Sequence, residues 1–158
     1  MIGLAKIRKI RLLEALARAV FIPPAVRREL LSHRGSEVPL LEEAVDERFQ
    51  VKPPGNPSQE VENATSHLDT GERAAVILAY AIKWDVVLVM NDQSGRQVAQ
   101  QLELSVTGLI GILLRLKEVG EIEEVTSHLE AVRERGYWLS DEIIATARRM
   151  AGELPGSE

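Results

Sequence analysis

The chain has 158 residues, no cysteine and a net charge of −5, which fits one domain with a core of aliphatic side chains. The absence of cysteine excludes disulfides, thiolate metal sites and cysteine nucleophiles. The charge is uneven, because residues 1–35 carry eight Lys and Arg against two Glu while the remainder is acidic. A basic amino-terminal part suits a nucleic-acid backbone or an acidic partner, and an ordinary solvated helix face explains it equally well.

We expect no targeting or membrane-spanning segment in this sequence. Its first sixteen residues are too charged for the apolar region of a signal peptide. The longest uncharged apolar run, 106–114, is too short to span a bilayer. We therefore expect a cytoplasmic protein with a single domain over residues 1–158.

Apolar periodicity predicts alternating helices and strands. The predicted helices cover 2–18, 25–32, 38–47, 69–82, 93–102, 109–119, 122–135 and 140–152, and the strands cover 20–22, 49–51, 86–90 and 104–106. Alternation across 20–107 predicts an α/β fold, a three-layer α/β/α domain with a parallel sheet and right-handed crossovers. The helices from 109 onward form a carboxyl-terminal tail.

The stretch from Asp69 to Asp92 organises this prediction. Its helix has a plausible N-cap in Thr70 and an acid, Glu72, in the first turn. The continuous apolar run 86–90 is typical of a parallel strand covered on both faces. Asn91 and Asp92 follow that strand, at the edge where open α/β sheets place their ligands.

Three acids are predicted near this edge: Glu29, Glu72 and Asp92, with Thr107 as a nearby hydroxyl. Together they could hold Mg²⁺ or Mn²⁺, which prefer oxygen ligands, and such an ion could activate water against a phosphodiester. Simpler interpretations stay open for each acid. Glu29 could be a solvent-facing helix residue, Glu72 could complement the helix dipole, and Asp92 could cap the next helix.

Other familiar catalytic signals are absent from the sequence. No Gly-rich phosphate loop follows a strand, and no serine lies in a nucleophile elbow. The three histidines lack the spacing of metal ligands. Chemistry based on carboxylate oxygens is what remains.

The order of motifs resembles the PIN-domain family. The segments that carry the resemblance are LAKI…LLEAL, FIPPAVRREL, GERAAVILA, VVLVMND…GR..A, VTGLIGILLRLKEVG and YWLSDEI. More narrowly, the chain is similar to predicted nucleic-acid-binding proteins of prokaryotic toxin–antitoxin type. The resemblance covers nearly the whole chain.

The resemblance implies a parallel sheet flanked by helices and metal-dependent cleavage of RNA by a group of acids that binds Mg²⁺ or Mn²⁺. It also implies a small antitoxin partner and a homodimer or higher oligomer. The catalytic and metal-binding acids transfer to Glu29, Glu72 and Asp92, with Asn91 as a further metal ligand. The residues expected to contact nucleic acid are Lys6, Lys9, Arg96 and Thr107.

The sequence departs from the family pattern in two places. The family begins with a central strand ending in Ser-Asp-Thr, directly before the segment that starts here at Met1, and this chain shows no such strand. The family also carries an acid where this chain has Asn91. Either the gene start is misassigned or the domain is a degenerate PIN domain. The missing strand would leave open backbone edges, which exchange of elements in an oligomer could fill.

The leading interpretation is thus a PIN-like ribonuclease with a residual acidic metal site. The alternative is a catalytically inactive PIN-fold module that acts through protein partners or nucleic-acid backbone contacts. A third interpretation is an unrelated α/β protein with incidental acids.

Overall fold

The computed structural model describes residues 2–32 and 34–153 and confirms the α/β fold. Its helices are α1 (Ile2–Lys6), a 3₁₀ helix (Ile10–Ala15), α2 (Pro24–Ser32), α3 (Val38–Glu47), α4 (Gln59–Thr65), α5 (Thr70–Ile82), α6 (Gln93–Gln101), α7 (Leu109–Glu118), α8 (Val125–Glu134) and α9 (Asp141–Met150). Its strands are β1 (Val20–Ile22), β2 (Phe49–Val51), β3 (Leu88–Val89) and β4 (Val106–Thr107). None of the described helices is long and apolar enough to cross a membrane.

The predicted helix over 2–18 is wrong in its continuity. After α1 the chain makes a tight turn in which the Arg8 amide donates to the Ala5 carbonyl and the Lys9 amide donates to the Leu4 carbonyl. Arg8 has φ 57°, the left-handed conformation that commonly ends a helix. The 3₁₀ helix then resumes with the same apolar spacing, so periodicity alone could not reveal the break.

The strands form two parallel pairs instead of one continuous sheet. In the first pair Val20 of β1 lies opposite Phe49 of β2, and in the second Leu88 of β3 lies opposite Val106 of β4. Over the residues that the structure describes, β1 and β3 do not pair with each other.

The hydrophobic core is divided in the same way. One cluster joins α1, α2, α3, α7, α8 and α9 to β1 and β2, and the second joins α4, α5 and α6 to β3 and its neighbours. Helix α2 packs against α5 and so connects the two halves.

The strand over 86–90 is covered on one face only. Leu88 and Met90 are 7% and 6% exposed and belong to the second cluster. Val87 and Val89, on the other face, are 58% and 37% exposed. The prediction that this run is buried on both faces was therefore wrong.

Candidate functional site

Helix α5 begins with two acids on its first turn. Asp69 is the N-cap, and its Oδ1 accepts a hydrogen bond from the Glu72 amide at 2.8 Å. The predicted cap, Thr70, is instead the first helical residue. Glu72 is half-buried, three residues after the cap, in the spacing of a capping box.

Glu29, an exposed residue of α2, reaches the start of the same helix. A Cβ atom at Gly71 would overlap its Oε2, so the absence of a side chain at Gly71 lets this carboxylate lie against α5. The first turn of a helix carries unpaired amides and a positive dipole end, both of which favour anions. The contact brings Glu29 into the neighbourhood of Asp69 and Glu72.

Asp92 follows β3 by three residues and precedes α6. It is the N-cap of α6, and its Oδ2 accepts from the Gly95 amide at 3.0 Å. The interpretation of Asp92 as a helix cap is therefore correct. Capping uses one of its two carboxylate oxygens. Its side chain is exposed.

These carboxylates interact electrostatically. Burial raises the pKa of Glu72 above its ordinary value, and the charges of Asp69, Asp92 and Glu29 raise it further. Among the described residues no Lys or Arg forms an ion pair with any of the four acids. The edge formed by Glu29, Asp69, Glu72 and Asp92, hereafter the acidic edge, thus concentrates negative charge without a paired cation.

Both polar atoms of the Asn91 side-chain amide form hydrogen bonds. Its Oδ1 accepts from the Leu109 amide at 2.9 Å, and its Nδ2 donates to the Tyr137 hydroxyl at 2.8 Å. The side chain therefore ties the end of β3 to the start of α7 and to the loop between α8 and α9. Next to Asp92, it fixes the backbone that carries one of the acids.

Two of the residues expected to contact nucleic acid, Lys6 and Arg96, already have partners within the protein. Lys6 donates to the Arg135 carbonyl and pairs with Glu37 at 3.4 Å. Arg96 Nη1 donates to the Met90 carbonyl at 2.9 Å and so supports the end of β3.

Thr107 and Lys9 differ in their surroundings. The Thr107 hydroxyl lies against Gly111, where a Cβ would overlap it. Lys9 is half-buried between α1 and the 3₁₀ helix. Only Arg96 and Thr107 lie on elements that adjoin the acidic edge, since they flank the ends of β3 and β4.

The carboxylates of the acidic edge do not form a complete metal-binding site. Within residues 2–32 and 34–153, no three His, Cys, Asp or Glu side chains are grouped so that they could hold one metal ion. Asp69 and Asp92 each commit one oxygen to a helix amide. The four carboxylates are neighbours and influence one another by their charge, but they do not converge on a single point.

Two residues of this region were missed from the sequence. Asp69 had a local signal, because Asp-Thr-Gly-Glu has the spacing of a capping box. Tyr137 had none, because it lies 46 residues from its partner Asn91 and the bond exists only in the folded chain.

Comparison with known proteins points to one family. A family model described as a PIN domain matches residues 1–153, nearly the whole chain. No curated protein and no solved structure matches the chain.

Proposed function

Because the chain belongs to the PIN-domain family, whose fold is of a nuclease type, we propose that it is a metal-dependent ribonuclease. Glu29, Glu72 and Asp92 would hold a Mg²⁺ or Mn²⁺ ion, and RNA would be the substrate. In its biological setting the protein would be the toxin of a toxin–antitoxin pair, a cytoplasmic homo-oligomer restrained by a small antitoxin protein. The observation that supports the proposal is the acidic edge, in which Glu29 lies against the start of α5 and the charge of Asp92 influences Glu72, with no ion pair to a described Lys or Arg.

The donor chemistry of the acidic edge fits a hard divalent cation. All the available ligand atoms are carboxylate oxygens, the type that Mg²⁺ and Mn²⁺ prefer. Burial raises the pKa of Glu72 most, repulsion from the neighbouring acids raises it further, and a dication would offset this repulsion. Waters commonly complete the shell of such ions, so few protein carboxylates are needed.

The chain's own groups divide the work of binding and positioning. Glu29 and Glu72 would bind the ion directly, and Asp92, fixed by its bond to the Gly95 amide, would add its second oxygen. A bound ion of this kind lowers the pKa of a coordinated water and neutralises charge on a phosphodiester. Lys6, Lys9, Arg96 and Thr107 are the proposed contacts to the RNA backbone.

A second function is favoured by a specific observation, namely that the described residues contain no ready group of three metal ligands. Asn91, which stands where the resembled family has an acid, is locked by two hydrogen bonds and is neutral. A PIN fold with these properties could serve as a binding module that acts through protein partners. The two functions make opposite predictions for metal binding.

Calorimetric titration with Mn²⁺ tests the proposal on the unaltered chain, on Glu72→Gln and on Glu142→Gln. Glu142 is the matched control, since it is an exposed acid in the first turn of α9. We expect the unaltered chain and Glu142→Gln to bind Mn²⁺, and Glu72→Gln to lose at least about tenfold in affinity, as one charged ligand is removed.

Cleavage of a labelled single-stranded RNA, with Mn²⁺ or with a chelator, then separates the two functions. The ribonuclease proposal expects cleavage that needs the metal and falls about 100-fold or more in Glu72→Gln. If the unaltered chain binds no Mn²⁺ and leaves RNA intact, the binding-module function stands instead.

A further inference from the structure

Trp138 is a large aromatic side chain that the fold leaves in solvent. It is 80% exposed, although burying an aromatic ring is among the larger favourable contributions to folding. Its two neighbours in the chain are placed differently, since Tyr137 and Leu139 are partly buried and pack against the first hydrophobic cluster. The exposure of Trp138 therefore occurs in a segment that is anchored on both sides.

Hydrogen bonds hold the loop between α8 and α9 that carries Trp138. The Tyr137 amide donates to the Val132 carbonyl at 3.2 Å, which closes the end of α8. Gly136 has φ 83°, the left-handed conformation that favours glycine after a helix. Ser140 is the N-cap of α9 and fixes the other end of the loop. The indole ring is thus attached to a fixed backbone, so that binding against it requires little ordering of the loop.

This loop lies beside the acidic edge. The Tyr137 hydroxyl accepts a hydrogen bond from Asn91 Nδ2 at 2.8 Å, and Asn91 directly precedes Asp92 in the chain. The connection from Trp138 to Asp92 therefore consists of one hydrogen bond and two steps between adjacent residues. A ligand whose backbone reaches the acids can place another of its groups on the indole ring.

Two cations adjoin the start of the same loop. Lys6 Nζ donates to the Arg135 carbonyl at 3.2 Å. Arg135 is exposed, and no described acid forms an ion pair with its guanidinium. Lys and Arg side chains are the usual contacts to the phosphates of a nucleic acid. An exposed aromatic ring beside such cations is the combination that binds single-stranded nucleic acid, in which bases stack on the ring.

We propose that Trp138 stacks on an unpaired base of RNA while Lys6 and Arg135 contact the adjoining phosphates. The inference rests on the ribonuclease proposed above, for which it names single-stranded RNA as the substrate class. A base in a duplex is already stacked between its neighbours and reaches an indole ring only by leaving the helix. Trp138 would thus select unpaired RNA and hold it beside the acidic edge.

Trp84 is the matched control for Trp138. It is 85% exposed and is the other tryptophan of the chain. It follows the carboxyl end of α5, whereas the acidic edge lies at the start of that helix, about 20 Å away for 13 helical residues. The two tryptophans are similarly exposed, and Trp138 is the one that adjoins the acids. An effect of RNA that depends on exposure alone should therefore appear at both.

Intrinsic fluorescence distinguishes the two tryptophans directly. Trp84→Phe leaves Trp138 as the single tryptophan, and Trp138→Phe leaves Trp84. Each variant is titrated at low salt with a single-stranded RNA of about twelve nucleotides, and a chelator prevents metal-dependent cleavage of the ligand. We expect stacking to quench Trp138 about twofold or more and to leave Trp84 unchanged. The same RNA annealed to its complement should leave both tryptophans unchanged.

The affinity for RNA provides a second, independent measurement. Anisotropy of the labelled single strand, again with a chelator, compares the unaltered chain with Trp138→Ala, Trp138→Phe and Trp84→Ala. The loss of one stacked base predicts about tenfold weaker binding by Trp138→Ala. Trp138→Phe keeps an aromatic face and should stay within about threefold of the unaltered chain, and Trp84→Ala should bind as the unaltered chain does. Both side chains are exposed, so all three variants should fold.

The results separate this inference from the ribonuclease proposal, because neither binding measurement depends on metal. Selective quenching of Trp138, together with no cleavage in Mg²⁺ or Mn²⁺, would support the RNA contact and contradict the ribonuclease. Metal-dependent cleavage with unchanged Trp138 fluorescence would leave the ribonuclease and overturn the stacking.

Three further results would overturn the proposal. Equal quenching of Trp84 and Trp138 would show that RNA contacts exposed indoles without regard to position. Equal quenching of Trp138 by the duplex would show that unpaired bases are not required. A blue shift of Trp138 emission that grows with protein concentration, without RNA, would identify a second copy of the chain as the occupant.

Discussion

Two glutamates lie at helix starts, and their surroundings shift their pKa values in opposite directions. Glu153 reaches the start of α8, where its carboxylate accepts from the Val125 amide at 2.6 Å and the Thr126 amide at 2.9 Å. Burial alone would raise its pKa, but an ion pair with Lys117 at 2.7 Å and the amide bonds lower it to about 2. At Glu72 burial also raises the pKa, and the neighbouring charges are acids.

The difference shows that a helix start alone does not decide whether a carboxylate stabilises the fold. Glu153 has a cation and two amides, so its charge is compensated. Glu72 shares a helix start with Asp69 and Glu29 and has no cation, so its charge is uncompensated. Uncompensated charge in a group of acids is characteristic of functional sites. Glu153 is accordingly structural, and Glu72 is the better candidate for ligand binding.

The largest expected effect on stability is that of replacing Glu153, whose charge is compensated. Glu153→Ala should lower the free energy of unfolding by about 2–3 kcal/mol, because it leaves the start of α8 and the Lys117 ammonium without their partner. Urea unfolding at neutral pH measures the change. Glu142→Ala, at the exposed first turn of α9, is the control and should stay within about 0.5 kcal/mol of the unaltered chain.

The lowered pKa of Glu153 predicts that the protein loses stability in acid. The folded-state pKa of Glu153 is about 2, below its ordinary value of 4.5, so its stabilisation is complete above pH 4.5 and is lost as the pH falls toward 2. The difference in the free energy of unfolding between the unaltered chain and Glu153→Ala should therefore become smaller as the pH falls from 4.5 toward 2. A difference that stays constant from pH 6 to pH 2 would show that Glu153 acts through packing alone.

The next effect separates the two roles of Asp69, as a helix cap and as a neighbouring charge. Asp69→Ala should destabilise the protein by about 1 kcal/mol, because the Glu72 amide loses its acceptor. Asp69→Asn keeps an acceptor and should cost only a few tenths of a kcal/mol. Both changes should lower the pKa of Glu72, measured by NMR titration, since both remove a negative charge. If the pKa of Glu72 does not fall in either variant, the charge of Asp69 does not contribute to the shift.

Local patterns were enough to predict most of the helices. Those expected at 25–32, 38–47, 93–102 and 109–119 agree with α2, α3, α6 and α7 to within one residue. Their apolar stripes are properties of neighbouring residues, so the sequence shows them directly. The division of the sheet is not local, because strand pairing joins residues far apart in the chain. The exposed face of β3 is also a property of the tertiary structure, and the apolar run 86–90 does not show it.

The same distinction applies to the acidic edge. Glu29, Glu72 and Asp92 were chosen as candidates because each follows or precedes a strand at the predicted carboxyl edge, a placement that a sequence pattern can give. The bond between Asn91 and Tyr137 depends on tertiary packing and could not be predicted. The same holds for Glu153, which contacts α8 from 28 residues away.

The smallest expected effect, and the most informative for the comparison, is that of Glu72→Gln on stability. Because the folded-state pKa of Glu72 is raised, its protonated form favours folding, and that contribution is lost as the pH rises through the raised pKa. Glutamine resembles the protonated acid at every pH. The variant should therefore equal the unaltered chain in acid and exceed it slightly at neutral pH, by no more than about 0.5 kcal/mol.

Unfolding midpoints in urea at pH 4 and pH 7, without divalent metal, measure this pH-dependent difference. Adding Mn²⁺ at pH 7 should reverse its sign, because the ion would stabilise only the chain that binds it. A variant less stable than the unaltered chain at pH 7 without metal would mean that the dipole of α5 outweighs the burial of Glu72 and its repulsion from the other acids. Glu72 would then resemble Glu153, and the acidic edge would lose its main support as a metal site.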